Sequence, residues 1–271
     1  MVFSHHPHEI FATGMLLEYR PDLLFLSHAH GYKKLEVQAK AGLDAIGFQG
    51  TVQFLEVSER VAYERLLESD FEWFRSMRDQ VVEWLLRVRP TAVFSDAFEC
   101  YNPIHDLCSL MVDSALKTIK PNSGFVTPQR FEFPLAFGAK PGAIISASSD
   151  PEHRVIAHEL TDEQIFMKRK RCGLLIRDVP PDANVSDHPA KIVAGLHPDL
   201  FRREFFAPLP QDRNYWTAPP AGPWKTYDEH GRERVAAGRF ARALTFAEHF
   251  APMARSLFEA SEVSPLKVHA A

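Results

Sequence analysis

Short apolar runs and amphipathic stretches alternate through the first 120 residues of the chain. Val2–Ser4 is the tail of a strand, and Ile10–Tyr19 reads as a helix. Asp22–Ser27 (DLLFLS) has the length and continuous apolarity of a strand buried on both faces. Leu35, Ala39, Leu43 and Ile46 recur at helical spacing and are closed by Gly47. Thr51–Val57 (TVQFLEV) predicts the next strand. A single long helix is then expected up to Arg89, with Leu67, Phe71, Phe74, Met77, Val81, Leu85 and Val88 on one stripe. Pro90 stops it, Ala92–Ser95 predicts a fourth strand, and Asp106–Ile119 a further helix. Strand followed by helix, repeated in this way, predicts a parallel sheet wrapped by crossover helices.

Beyond residue 120 the pattern loosens. Gly124–Phe137 and Gly142–Ser148 carry β-type runs, and Thr161-Asp162-Glu163-Gln164 is a capping-box pattern opening a helix with Ile165, Arg169, Cys172 and Ile176 in step. Nine of the twenty prolines fall between Pro180 and Pro223, which predicts an irregular segment. Helical periodicity returns from Glu229 to about Ala260, with a break expected at Pro252. The expected organisation is a core over residues 1–178 and a C-terminal extension over 179–271, Pro-rich and then helical.

Composition removes several classes of function. With 45% hydrophobic residues the chain has enough apolar surface to fold. It contains no run of ~18 uncharged apolar residues, so no membrane span is expected. A net charge of -4 argues against nucleic-acid binding, which needs a basic surface. The one basic run, Lys168-Arg169-Lys170-Arg171, lies in the helical pattern and is expected to form a solvated face. Three scattered cysteines and an N-terminus without signal-peptide character suggest a cytoplasmic protein with reduced thiols.

Candidate chemistry collects where the strands end. His5-His6-Pro7-His8-Glu9 follows the first strand, His28-Ala29-His30 the second, and Asp96 through His105 the fourth. In a parallel α/β sheet these carboxyl ends face the ligand. Histidine and carboxylate converging there suggest a divalent metal, zinc or another ion, that activates water. Asp96 is placed to orient a ligand histidine from behind.

On these residues the chain resembles the PIG-L/LmbE family of zinc-dependent N-deacetylases, which have a Rossmann-like α/β core. Where the family has a strand followed by His-Pro-Asp-Asp-Glu, this chain has Val2-Phe3-Ser4 followed by His5-His6-Pro7-His8-Glu9. Where the family has His-Pro-Asp-His opening a helix after strand four, it has Asn102-Pro103-Ile104-His105. The helix around Lys33–Gly47 matches loosely, and the likeness spans about residues 1–178. The resemblance implies zinc on His6, Glu9 and His105. It implies His8 in place of the general base and Asn102 in place of the oxyanion-stabilising histidine. A register slip of one residue would make His5 a ligand instead.

The implied reaction is hydrolysis of an N-acyl group, N-acetyl first, from an amino sugar or sugar conjugate. Two alternatives stand beside it: a relative that holds metal and a sugar-like ligand without turnover, and a TIM-barrel amidohydrolase using His6-Pro7-His8 as its His-x-His pair. The pattern does not decide whether the C-terminal helix covers the site or makes a homo-oligomer contact. His197-Pro198-Asp199 imitates the opening motif without a strand before it. Cys100 and Cys108 are expected to be packing thiols. Tyr101, Tyr215, Trp216 and Trp224 are candidates for stacking on a sugar, with packing the simpler role.

Overall fold

The computed structural model describes residues 1–28, 33–120, 123–135, 155–177, 198–209, 213–218 and 225–259. Five parallel strands form the main part of an open seven-stranded sheet: β1 (Val2–Phe3), β2 (Leu23–Phe25), β3 (Val52–Phe54), β4 (Ala92–Asp96) and β5 (Gln129–Phe133). Two further strands, β6 (Ile156–Glu159) and β7 (Arg203–Pro208), complete it in the order β3-β2-β1-β4-β5-β7-β6. β7 pairs antiparallel with both β5 and β6. This is the α/β architecture expected from the alternating pattern. An open sheet with an antiparallel edge excludes the eight-stranded barrel. The stretch Gly142–Ser148, Trp224 and most of the Pro-rich segment lie outside the described residues.

β1 is two residues long yet central. Val2 enters the hydrophobic cluster on one face of the sheet, with Met77, Val81, Leu85, Leu107 and Met111. Phe3 enters the cluster on the other face, between Phe25 and Phe133, with Met15, Leu16 and Leu43. The alternation of side chains along a strand makes this division unavoidable, so the shortest strand anchors both cores.

On the first face lie α3 (Glu59–Leu67), α4 (Phe71–Val88), α5 (Pro103–Thr118) and, from the extension, α8 (Ala251–Glu259). The opposite side carries α1 (Thr13–Tyr19), α2 (Lys33–Ala45) and α6 (Asp162–Arg177). The long helix expected before Arg89 is two helices. The Ser58 side chain caps α3 by accepting from Val61 N, Asp70 caps α4 by accepting from Trp73 N, and Ser69 between them has φ 56°. The C-terminal stretch is likewise divided. α7 (Tyr227–Ala236) ends before Gly238, and a π turn at Phe246–Phe250 leads into α8, whose second residue is Pro252. Ala251 N still donates to Phe246 O, so Pro252 falls where the π turn passes into α8. No helix among the described residues is long and apolar enough to cross a membrane.

The basic run on α6 is not a solvated face. Arg169 and Lys170 are exposed, but Lys168 and Arg171, three residues apart on the inner side, are buried. Lys168 donates to Glu204 of β7 at 3.0 Å, and Glu204 also accepts from the backbone N–H groups of Gly14 and Met15 at the start of α1. A Cβ at Gly14 would lie 2.2 Å from the end of the Leu160 side chain, so any larger residue there would force Leu160 to move. Removing one partner of a buried pair strands the other charge. Glu204→Ala is therefore expected to destabilise the protein by ~3–5 kcal/mol in urea unfolding at neutral pH. A loss under ~1 kcal/mol, the scale of an exposed pair, would show that the buried pair does not hold α6 to α1 and β7.

Candidate metal centre

The chain order 3-2-1-4-5 places a switch point between β1 and β4, where the following segments leave toward opposite faces and open a crevice at the strand ends. The histidine-rich loop leaves β1 there, and the loop carrying Asn102 leaves β4. Ser4 N donates to Asp96 Oδ2 at 2.7 Å, joining the two exits.

Asn102 caps α5: its Oδ1 accepts from Ile104 N at 2.8 Å and from the Tyr63 hydroxyl at 3.1 Å. Pro103 is the first residue of the helix and His105 the third, so the cap sets where the imidazole stands. Behind them, the Asp106 carboxylate accepts from Glu99 N and Cys100 N, and holds Cys100 at φ 54°. Burial raises the Asp106 pKa to about 8 against those two hydrogen bonds. Cys100 and Cys108 are buried packing thiols. The Cys108 thiol donates to Val2 O, away from any cluster, and burial raises the pKa of both.

Among the described residues, the side chains that bring three possible metal-ligand atoms within 4.8 Å of one another are His5, His8 and His105. All three are buried. His5 Nδ1 lies 2.8 Å from the carbonyl oxygen of His6, so it carries the proton and leaves Nε2 as the ligand atom. His8 Nδ1 lies 2.8 Å from Asp96 Oδ2 and 3.0 Å from Ser4 Oγ, which likewise frees its Nε2. His5 Nε2 and His105 Nε2 are 3.2 Å apart. Two ligands of a tetrahedral zinc at Zn–N ~2.0–2.1 Å are separated by about 3.3 Å, so this spacing fits the ion. A carboxylate or carbonyl on the second ring nitrogen is the usual support of a ligand histidine.

The expected set His6, Glu9 and His105 is not brought together in this way. His6 Nδ1 pairs with Glu9 Oε1, and the same oxygen pairs with Arg171 of α6, in a contact with all three side chains at most 3% exposed. Burial pushes the Glu9 carboxyl up, but His6 and Arg171 outweigh it and hold it at about 2. The negative charge of Glu9 is thus committed inside the protein. His8, expected as a base, stands among the three converging imidazoles. His28 is buried at the end of β2 against Phe54, and His30 lies outside the described residues.

Electrostatics separate the three imidazoles. Burial and the positive charge of neighbouring histidines lower the His8 and His105 pKa values well below the ordinary range, which leaves them neutral. Burial also acts to lower His5, but Glu59 at the start of α3, 3.0 Å from His5 Nε2, outweighs it and raises the pKa to about 9. Burial raises Asp96 to about 6, opposed by His105 and by the hydrogen bonds from Ser4.

Fold and site together define an open α/β protein with a buried three-histidine centre at its topological switch point. No protein-family model matches the chain, and no curated protein does. Among solved structures the chain is similar to a triple mutant of a deacetylase of the teicoplanin biosynthetic pathway, at 10% identity over 76% of this chain and 95% of that one, with a TM-score of 0.45.

The Glu9 pair generates a pH-dependent expectation. The folded-state pKa, about 2, lies below the unfolded 4.5, so its stabilisation is complete above 4.5 and is lost as pH falls through 2. Glu9→Gln is expected to cost ~3–5 kcal/mol at pH 7, because it strands Arg171. The gap from wild type should narrow in chemical denaturation at pH 3. A gap that stays constant between pH 7 and pH 3 would contradict the ion pair.

Proposed function

We propose that this protein is a metal-dependent hydrolase that removes an N-acyl group, N-acetyl first, from an amino sugar or sugar conjugate. The observation that carries the reading is the convergence of His5, His8 and His105, each buried, with the outer nitrogens of His5 and His8 tied to a carbonyl and a carboxylate. These three would hold zinc or another divalent ion. The choice of reaction rests on the resemblance to the PIG-L/LmbE deacetylases described above. The converging histidines favour the slipped register, in which His5 and His8 of His5-His6-Pro7-His8-Glu9 stand where the family's two opening-motif ligands stand.

Bound there, the metal supplies Lewis acidity toward a carbonyl oxygen and lowers the pKa of water. The chain's own residues do the rest. Asp96 and the His6 carbonyl fix which nitrogens of His8 and His5 face inward. Asn102 Oδ1 is held by Ile104 N and Tyr63, which leaves the amide N–H groups as the donors toward a developing oxyanion.

A second reading, metal and ligand binding without turnover, is favoured by Pro7. In the slipped register it stands at the position of the family's general base, and it cannot accept a proton.

The test is metal content together with turnover. Wild type is expected to bind one equivalent of zinc and to release acetate from N-acetylglucosamine conjugates. His5→Ala, His8→Ala and His105→Ala should each lose the metal and the activity, whereas His6→Ala should keep the metal. Full zinc content in all three of the first variants sinks the centre. Loss of metal in His6→Ala, with His5→Ala unaffected, restores the set His6, Glu9 and His105. Metal binding without hydrolysis of any N-acyl sugar supports the non-enzymatic reading.

A further inference from the structure

Three carboxylates stand close to the histidine cluster. Glu9 gives its Oε1 to both His6 and Arg171. Asp96 sits behind His8, with Oδ2 receiving both Ser4 N and His8 Nδ1, so it supports a ligand from outside. Glu59 differs from both. It is the first residue of α3, its side chain is 9% exposed, and its Oε1 lies 3.0 Å from His5 Nε2, the nitrogen that faces the metal position. It does not belong to the group of side chains whose ligand atoms all lie within 4.8 Å of one another. It meets the three-histidine group through the ligand atom of His5.

Resting on the hydrolase reading, we propose that Glu59 is the general acid–base of this site, supplying from α3 the carboxylate that Pro7 cannot. The α3 register makes this possible. Ser58 caps the helix and Glu59 N donates to His28 O at 3.3 Å, which anchors the residue at the strand ends. One turn later, Tyr63 reaches Asn102, so one helix carries the carboxylate and braces the residue assigned to the oxyanion. In the reaction, the Glu59 carboxylate takes one proton from the attacking water as the water oxygen bonds to the acyl carbon. The carbon–nitrogen bond then breaks and the proton passes from Glu59 to the leaving nitrogen. The products are the free amine and the carboxylic acid, and no other reactant is needed.

The experiment compares wild type, Glu59→Gln and Glu59→Asp, loaded with cobalt(II) or zinc. Chelator competition is expected to give the Gln variant a metal affinity within threefold of wild type. Acetate, titrated against the visible spectrum of the cobalt protein, should bind the Gln variant at least tenfold more tightly, because a facing negative charge has been removed. Turnover should fall ~100-fold or more in the Gln variant and recover in part with Asp. Unchanged acetate affinity or unchanged turnover in Glu59→Gln overturns the proposal. A loss of metal as large as in the histidine variants also overturns it, since Glu59 would then be a ligand. If wild type binds cobalt but hydrolyses nothing, the hydrolase reading and the catalytic role fall together. The acetate titration then decides alone whether Glu59 faces the metal.

Discussion

One buried carboxylate, Asp96, connects everything at the switch point. It ends β4, and its Oδ2 receives the backbone N–H of Ser4 and faces Nδ1 of His8, both from the segment leaving β1. Without it the two central strands would still pair through Val2 and Ser95, but the ties from Ser4 and His8 to the end of β4 would be lost. With it, the loop bearing His5 and His8 is registered against the loop and helix bearing His105. Burial raises the carboxyl's pKa to about 6, so its charge is retained at neutral pH only because hydrogen bonds and histidines face it. A group so costly to bury is informative, because its partners have to be present for the fold to tolerate it.

A second set of buried charges works on the opposite face. α6 sends Lys168 to Glu204 and Arg171 to Glu9, and so fastens α1, β7 and the histidine loop to one helix. Glu9 follows His8 directly in the chain. Its anchoring to Arg171 therefore helps fix the turn that presents His8. An apolar pair of similar volume could give comparable stability. What the charged pairs add is direction: a guanidinium and a carboxylate satisfy each other in few geometries.

Much of the fold was legible because its signals are local. The apolar runs at Leu23–Phe25 and Ala92–Ser95 and the stripe on α4 report strand and helix directly. The break at Ser69 was harder to see, since the apolar stripe runs through it and only the Ser69-Asp70 pair marks a new cap. Lys168 and Arg171 read as solvated because the residues that neutralise them, Glu204 and Glu9, are distant in the sequence. The placement of β7 between β5 and β6 is equally non-local. At the site, the order of motifs points to His105 as a ligand and to Asp96 behind a ligand histidine, whereas it gives His8 as the base and not as a member of the converging set. The choice between His5 and His6 could not be read from it. Two adjacent histidines differ by one residue in register, and what separates them in the fold is the pairing of His6 with Glu9, which Arg171 holds in turn.

That choice changes the charge of the centre. A set of two histidines and a carboxylate cancels part of a divalent ion's charge, whereas three neutral imidazoles cancel none. The full charge then acts on whatever occupies the open position, the condition under which three-histidine zinc sites bring bound water to a pKa near ~7. A site of this kind gains from a carboxylate that is close but not coordinated, because it balances the ion without blunting it. Glu59 has that relation to His5, and in the metal-free protein the same proximity holds a proton on His5 up to about 9. Metal must displace that proton to bind. With an ion held by the three histidines, the Glu59 carboxylate would stand beside that ion instead of an imidazolium. The carboxylate that the slipped register lacks at Pro7 would then come from a helix some fifty residues further along the chain.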